Sequence, residues 1–142
     1  MMIDKKWTLL FSCWLIALIS TLGSLFFSEV MRFPPCILCW YQRICMYPLV
    51  LVFLMGLFPF DQKVLKFSFP LAFVGWVIAA YHNLLYYKIL PESAAPCVRG
   101  ISCTTVQVQW FGFITIPFLS LFSFSLIVIL LTLIYRTTSR EK

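Results

Sequence analysis

Charged side chains are scarce in this chain. Asp, Glu, Lys and Arg together make up 11% of its 142 residues, where a soluble globular domain carries about 25%. With 62% hydrophobic residues beside them, the shortage excludes a surface wetted on all sides and points to a protein dissolved in a bilayer. The net charge of +6 is spread thinly over chain ends and loops. No basic cluster of the kind that grips nucleic acid occurs, so the excess reads as a topogenic signal and no nucleic-acid partner is expected. Histidine occurs once. It is not where covalent haem attachment through C-x-x-C-H needs it, because Trp40 follows the second cysteine of the motif. Nor does an A-x-A cleavage pattern follow the first apolar run, so the Asp4-Lys5-Lys6 start is read as leading into an uncleaved helix.

What the chain does have is four long apolar runs. Residues 7–28 hold no charged side chain. At 1.5 Å per residue that run exceeds the roughly 30 Å of bilayer hydrocarbon, so it spans. Further spans are expected over 40–60, with residues 40–43 as an interfacial first turn, over 67–87, and over 112–135. Pro70 and Pro117 fall in opening turns, where proline is tolerated. No linker or repeat separates the runs. Residues 1–142 therefore read as a single domain of the all-α membrane class, a bundle of four transmembrane helices. The connections are short except for 88–110, which has too few large apolar residues to fold alone. A Cys97–Cys103 disulfide is the expected constraint on that loop.

Orientation follows from the basic residues. One side holds Lys5, Lys6, Lys63, Lys66, Arg136, Arg140 and Lys142; the other holds only Arg32, Arg43, Lys88 and Arg99. The positive-inside rule then places both termini in the cytoplasm of a multi-pass cell-membrane protein. Cys36, Cys39, Cys97 and Cys103 face the extracytoplasmic side, where disulfides persist.

The chemistry is concentrated in Pro34-Pro35-Cys36-Ile37-Leu38-Cys39-Trp40-Tyr41-Gln42-Arg43. Two cysteines at C-x-x-C close a small disulfide ring, and the thiolate is the reactive form. A helix N-terminus favours a nearby thiolate through its unpaired N–H groups. Cys39 and Arg43 stand at i and i+4, so a permanent cation faces whatever charge develops at Cys39. A static staple is the plainer reading, but a ring closing two intervening residues removes little chain entropy. A zinc site would need Cys97 and Cys103 as well; the uneven spacing and the oxidising compartment oppose it, and no metal is expected. The Cys97–Cys103 pair is either a structural staple or half of an exchange relay. Arg43 either snorkels to the interface or serves the thiol. His82 lies about 8 Å inside the outer end of the third span, where it either bonds a neighbouring helix or contacts a cofactor. Cys13 and Cys45 are small packing residues.

Together these residues carry a resemblance. The motif Cys36-Ile37-Leu38-Cys39, with Tyr41 and Arg43 behind it, opens the second of four spans, and a further cysteine pair precedes the fourth. In this the chain resembles the DsbB-type disulfide-bond formation proteins over nearly its whole length. The short Cys97-Val98-Arg99-Gly100-Ile101-Ser102-Cys103 segment looks like that of their small BdbC-type members. The resemblance implies a membrane thiol:quinone oxidoreductase that reoxidises an extracytoplasmic, DsbA-like thioredoxin-fold thiol oxidase. Cys97 would take the mixed disulfide and Cys103 would pass electrons to Cys36. Cys39 would face a membrane quinone, ubiquinone or menaquinone, with Arg43 holding the quinone oxygen and His82 nearby. Many family members separate the loop cysteines further, so this pair is expected to move less independently. Two rival functions are a quinone reductase of the vitamin-K-epoxide-reductase kind, whose C-x-x-C lies late in the chain, and a non-enzymatic membrane subunit with structural loop disulfides.

Overall fold

A computed structural model describes residues 2–32, 36–91, 93, 109–110 and 114–141; Cys97 and Cys103 lie outside the described residues. Helix α1 (Met2–Leu25) continues into a π-helical turn (Phe26–Val30), and α2 (Ile37–Leu57) and α3 (Val64–Tyr86) follow. A short antiparallel pair, β1 (Gln109–Trp110) and β2 (Ile114–Thr115), leads into α4 (Ile116–Arg140). All four helices are long and apolar enough to cross a membrane.

Local chemistry explains where each helix begins. At α2 the capping residue is a cysteine: Cys36 has extended backbone (φ −73°, ψ 167°), and its sulfur accepts the Cys39 N–H at 3.2 Å. That bond satisfies an orphan donor of the first turn and starts the helix at Ile37 rather than at residue 40. The helix ends at Leu57 because Phe58 precedes Pro59 and is held out of the helical region, at φ −137° and ψ 100°. Upstream of α3 the Asp61 carboxylate accepts the Lys63 N–H at 2.9 Å, a turn that side-chain capping favours. The α4 start falls at Ile116 rather than residue 112, since residues 114–115 are strand. There the Thr115 hydroxyl oxygen accepts the Phe118 N–H at 3.4 Å and Pro117 occupies the first turn.

Each helix packs on two others. Helix α1 lies against α2 and α4, and α3 closes the ring against the same two. The core they share holds Cys13 and Ala17 of α1, Cys45, Leu49 and Phe53 of α2, Ala72 and Ala79 of α3, and Phe124, Ile127 and Leu131 of α4. At Gly75 the α3 backbone meets the Phe124 ring, whose Cζ would lie 2.6 Å from an added Cβ. Outward-facing Ile19, Leu22, Ile44, Leu51, Phe67, Val77, Phe122 and Ile129 form the exposed apolar girdle of a protein whose solvent is lipid. At one end the buried Lys6 ammonium pairs with the Glu141 carboxylate, tying the start of α1 to the end of α4. Toward the opposite end Cys36, Leu38 and Leu85 form a separate small cluster, with Cys39, Ile78, Tyr81 and Leu90 packed around it.

Candidate functional site

That small cluster holds the dithiol. The Cys36 and Cys39 sulfurs lie 2.7 Å apart, close enough to join with little movement. Cys36 is buried at the head of α2, and Cys39 lies half-buried one turn in. The hydrogen bond with Cys39, and then burial, push the Cys36 thiol well above the usual thiol range.

Beyond Cys39 a cavity of about 300 Å³ opens between α1, α2 and α4. Cys39, Gln42 and Arg43 line it from α2, Ser20 and Ser24 from α1, and Ser120 from α4, with Met46, Leu119 and Phe124 among its apolar walls. The Arg43 guanidinium donates from Nε to the Ser24 hydroxyl at 2.8 Å and from Nη2 to the Ser24 carbonyl at 2.9 Å. It also lies over the Trp40 ring, 5.5 Å from the centroid, a favourable cation–π separation. These bonds use two of the five guanidinium N–H groups, and others remain along the cavity wall. Thr21 and Tyr47 line the same space, and their buried hydroxyls have no hydrogen-bond partner among the described residues. A mostly apolar slot of this size with a few convergent donors suits a flat ring bearing acceptor oxygens.

Cys39 and Arg43 thus come together on one wall, as their spacing predicts. His82 stands elsewhere. It comes from α3, is 2% exposed, and is not among the residues lining the cavity. Its Nε2 lies 3.8 Å from the Cys36 sulfur, and its Nδ1 lies 3.1 Å from Gln42 Nε2. The Ser120 hydroxyl donates to Gln42 Oε1 at 2.5 Å, which links α2, α3 and α4 behind the dithiol. Cys36, Cys39 and His82 place one ligand atom each within 4.8 Å of one another; a structural zinc takes four such ligands. Sequence alone assigns no role to Gln42, Ser120 or Ser24. Gln42 did carry a signal, being an uncharged polar residue inside an apolar span between Cys39 and Arg43. The serines carried none, because hydroxyls are common in spans and bond their own helix.

A four-helix membrane bundle with a paired thiol at the mouth of one helix, set against an intramembrane cavity, defines an integral-membrane dithiol oxidoreductase. Residues 5–134 match the family model of disulfide bond formation protein DsbB, and the chain belongs to that family. It is 47% identical over 125 residues to disulfide bond formation protein C of Bacillus subtilis, covering 88% of this chain and 91% of that one. A probable disulfide formation protein of Metapseudomonas resinovorans is 42% identical over 134 residues, 94% of this chain and 93% of its own. A probable disulfide formation protein C 1 of Bacillus anthracis is 46% identical over 121 residues, 84% of this chain and 86% of its own. No solved structure matches the chain. The chain is accordingly a disulfide-bond-forming membrane protein.

Proposed function

We propose that this chain is a membrane thiol:quinone oxidoreductase that reoxidises an extracytoplasmic thioredoxin-like thiol oxidase. The observation that carries the reading is the position of Cys39. Cys39 borders the apolar cavity that Arg43 also lines, while Cys36 caps the start of α2 outside it. In the relay a partner dithiol reduces a Cys97–Cys103 disulfide and becomes a disulfide itself. The loop dithiol then reduces a Cys36–Cys39 disulfide, and each exchange carries two electrons and two protons. Thiolate attack on Cys36, the sulfur nearest the bundle head, frees Cys39 beside the cavity.

Energetics require an acceptor beyond sulfur. A partner as oxidising as DsbA, at about −120 mV, stands about 180 mV above a structural disulfide at about −300 mV, roughly 8 kcal/mol uphill. A quinone held in the cavity supplies a two-electron, two-proton sink that dissolves in the same lipid. Arg43 would hold one ring oxygen, with Ser24 fixing the guanidinium, while Met46, Leu119 and Phe124 keep the slot dry. The charge bias of the loops supports an extracytoplasmic dithiol.

The test is quinone-dependent oxidation of a thioredoxin-like dithiol by the purified protein. Cys36→Ser and Cys39→Ser should each abolish it, and normal turnover in either variant ends the proposal. Trapping a mixed disulfide through Cys97 separates the relay from a bundle whose loop disulfide is only a staple.

A further inference from the structure

The chain of contacts behind the dithiol points to where the proton of His82 resides. The Ser120 hydroxyl donates to Gln42 Oε1, so the carbonyl end of that amide faces α4 and its NH2 end faces His82. An amide NH2 has only donors to offer, which leaves Nδ1 as the acceptor and therefore bare. A neutral imidazole carries one ring proton, here on Nε2, the nitrogen facing the Cys36 sulfur. The assignment follows from the orientation of the Gln42 amide; the reverse orientation, donating to the Ser120 hydroxyl, would put the ring proton on Nδ1. An imidazolium would set an Nδ1–H against the Gln42 N–H.

We propose that Gln42, anchored by Ser120, is a positioning residue that fixes His82 as a neutral Nε2–H donor to the Cys36 sulfur. His82 thereby serves the sulfur pair rather than a ligand in the cavity. A fixed N–H at this place stabilises negative charge on Cys36 whenever thiol exchange makes it the attacking or leaving sulfur. It does so without placing a charge of its own in the bundle, where an unpaired ion is costly.

The neighbours among the described residues are consistent with this. From α2 the thiols of Cys36 and Cys39 face His82, while the Arg43 guanidinium turns away to Ser24 of α1. Helix α4 presents neutral Ser120 through Gln42, and its arginines, Arg136 and Arg140, lie near its other end. On α3 itself the nearest titratable groups are Tyr81 and Tyr86. The use made of the hydrogen bond rests on the thiol relay proposed above; the tautomer does not.

Because the chain has one histidine, ¹⁵N-histidine NMR of the full-length protein, reduced and carrying a histidine-free tag, reads His82 alone. Nε2 should be protonated and Nδ1 bare. Gln42→Glu offers Nδ1 a carboxylate and should move a proton onto it. Ser120→Ala frees the amide to turn, so signals of both tautomers should appear. A protonated Nδ1 in the native protein overturns the proposal, as does a ring unchanged by both substitutions. A second readout needs neither quinone nor partner: the midpoint pH for alkylating Cys36 in a Cys39→Ser background. His82→Phe should raise it by about one unit, while His82→Gln, which restores an N–H near the same place, should keep the native value. Equal midpoints in all three proteins would also overturn the assignment. Loss of the relay would instead be seen in the turnover of the cysteine variants, so the two failures are distinguishable.

Discussion

Arg43 shows how much and how little one residue's spacing reveals. Its place one turn behind Cys39 is legible from the sequence, since i and i+4 share a helix face whatever the rest of the chain does. Its anchor is not, because Ser24 lies 19 positions earlier on another helix. The anchor matters for function: a guanidinium tethered by two bonds offers its remaining donors from a fixed position. Removing a hydrogen bond to a charged group costs about 1.5–3 kcal/mol, or roughly ten- to a hundredfold in affinity. Arg43→Ala should therefore raise the KM for quinone by that factor while leaving the KM for the protein dithiol near its native value. Ser24→Ala should raise the quinone KM less, since the charge remains but its tether is cut. Steady-state kinetics with each substrate varied in turn decide the matter, and a change confined to the protein-substrate KM would remove Arg43 from the cavity's chemistry.

Between elements, the contacts that set the site are those joining α3 to α4. Asn83 donates from Nδ2 to the Ala79 carbonyl and to the Pro117 carbonyl, both at 2.8 Å. The second bond holds the opening turn of α4, and Ser120 sits one turn further on. Asn83→Leu would remove the side-chain bond that ties α3 to the start of α4 and should cost about 0.5–1.5 kcal/mol. A lowered midpoint of thermal unfolding in detergent would show it, together with slower turnover as Ser120 shifts. Two turns lower on the same seam, Gly75 admits the Phe124 ring. Gly75→Ala should destabilise the bundle by about 1–3 kcal/mol, the usual cost of overpacking. An unaffected midpoint would mean that α3 and α4 do not approach as closely as described. Neither contact was legible beforehand: glycine, asparagine and proline in a span admit many readings until the facing helix is known.

For the whole molecule, the governing fact is that both chain ends meet at one end of the bundle through Lys6 and Glu141, while the dithiol cluster lies toward the other. With the bias of basic residues toward the terminal side, the cysteines are expected outside the cell membrane. An impermeant thiol reagent added to intact cells after mild reduction should modify Cys97 and Cys103. Labelling of either only after the inner face is opened would reverse the orientation and remove access to an extracytoplasmic partner.

The four spans, the dithiol at the entrance to the second, and the cation one turn behind it were determined by sequence alone. Each is a local property: a run long enough to cross hydrocarbon, a pair of sulfurs two residues apart, a helical repeat. The tertiary structure decided which side each residue serves. Helices that are apolar on every face carry no stripe to announce which face turns inward, so their rotation is set by fit, such as Phe124 against Gly75. That rotation put Cys39 and Arg43 on a cavity between α1, α2 and α4, and turned His82 away from it toward Cys36, with Gln42 between the two.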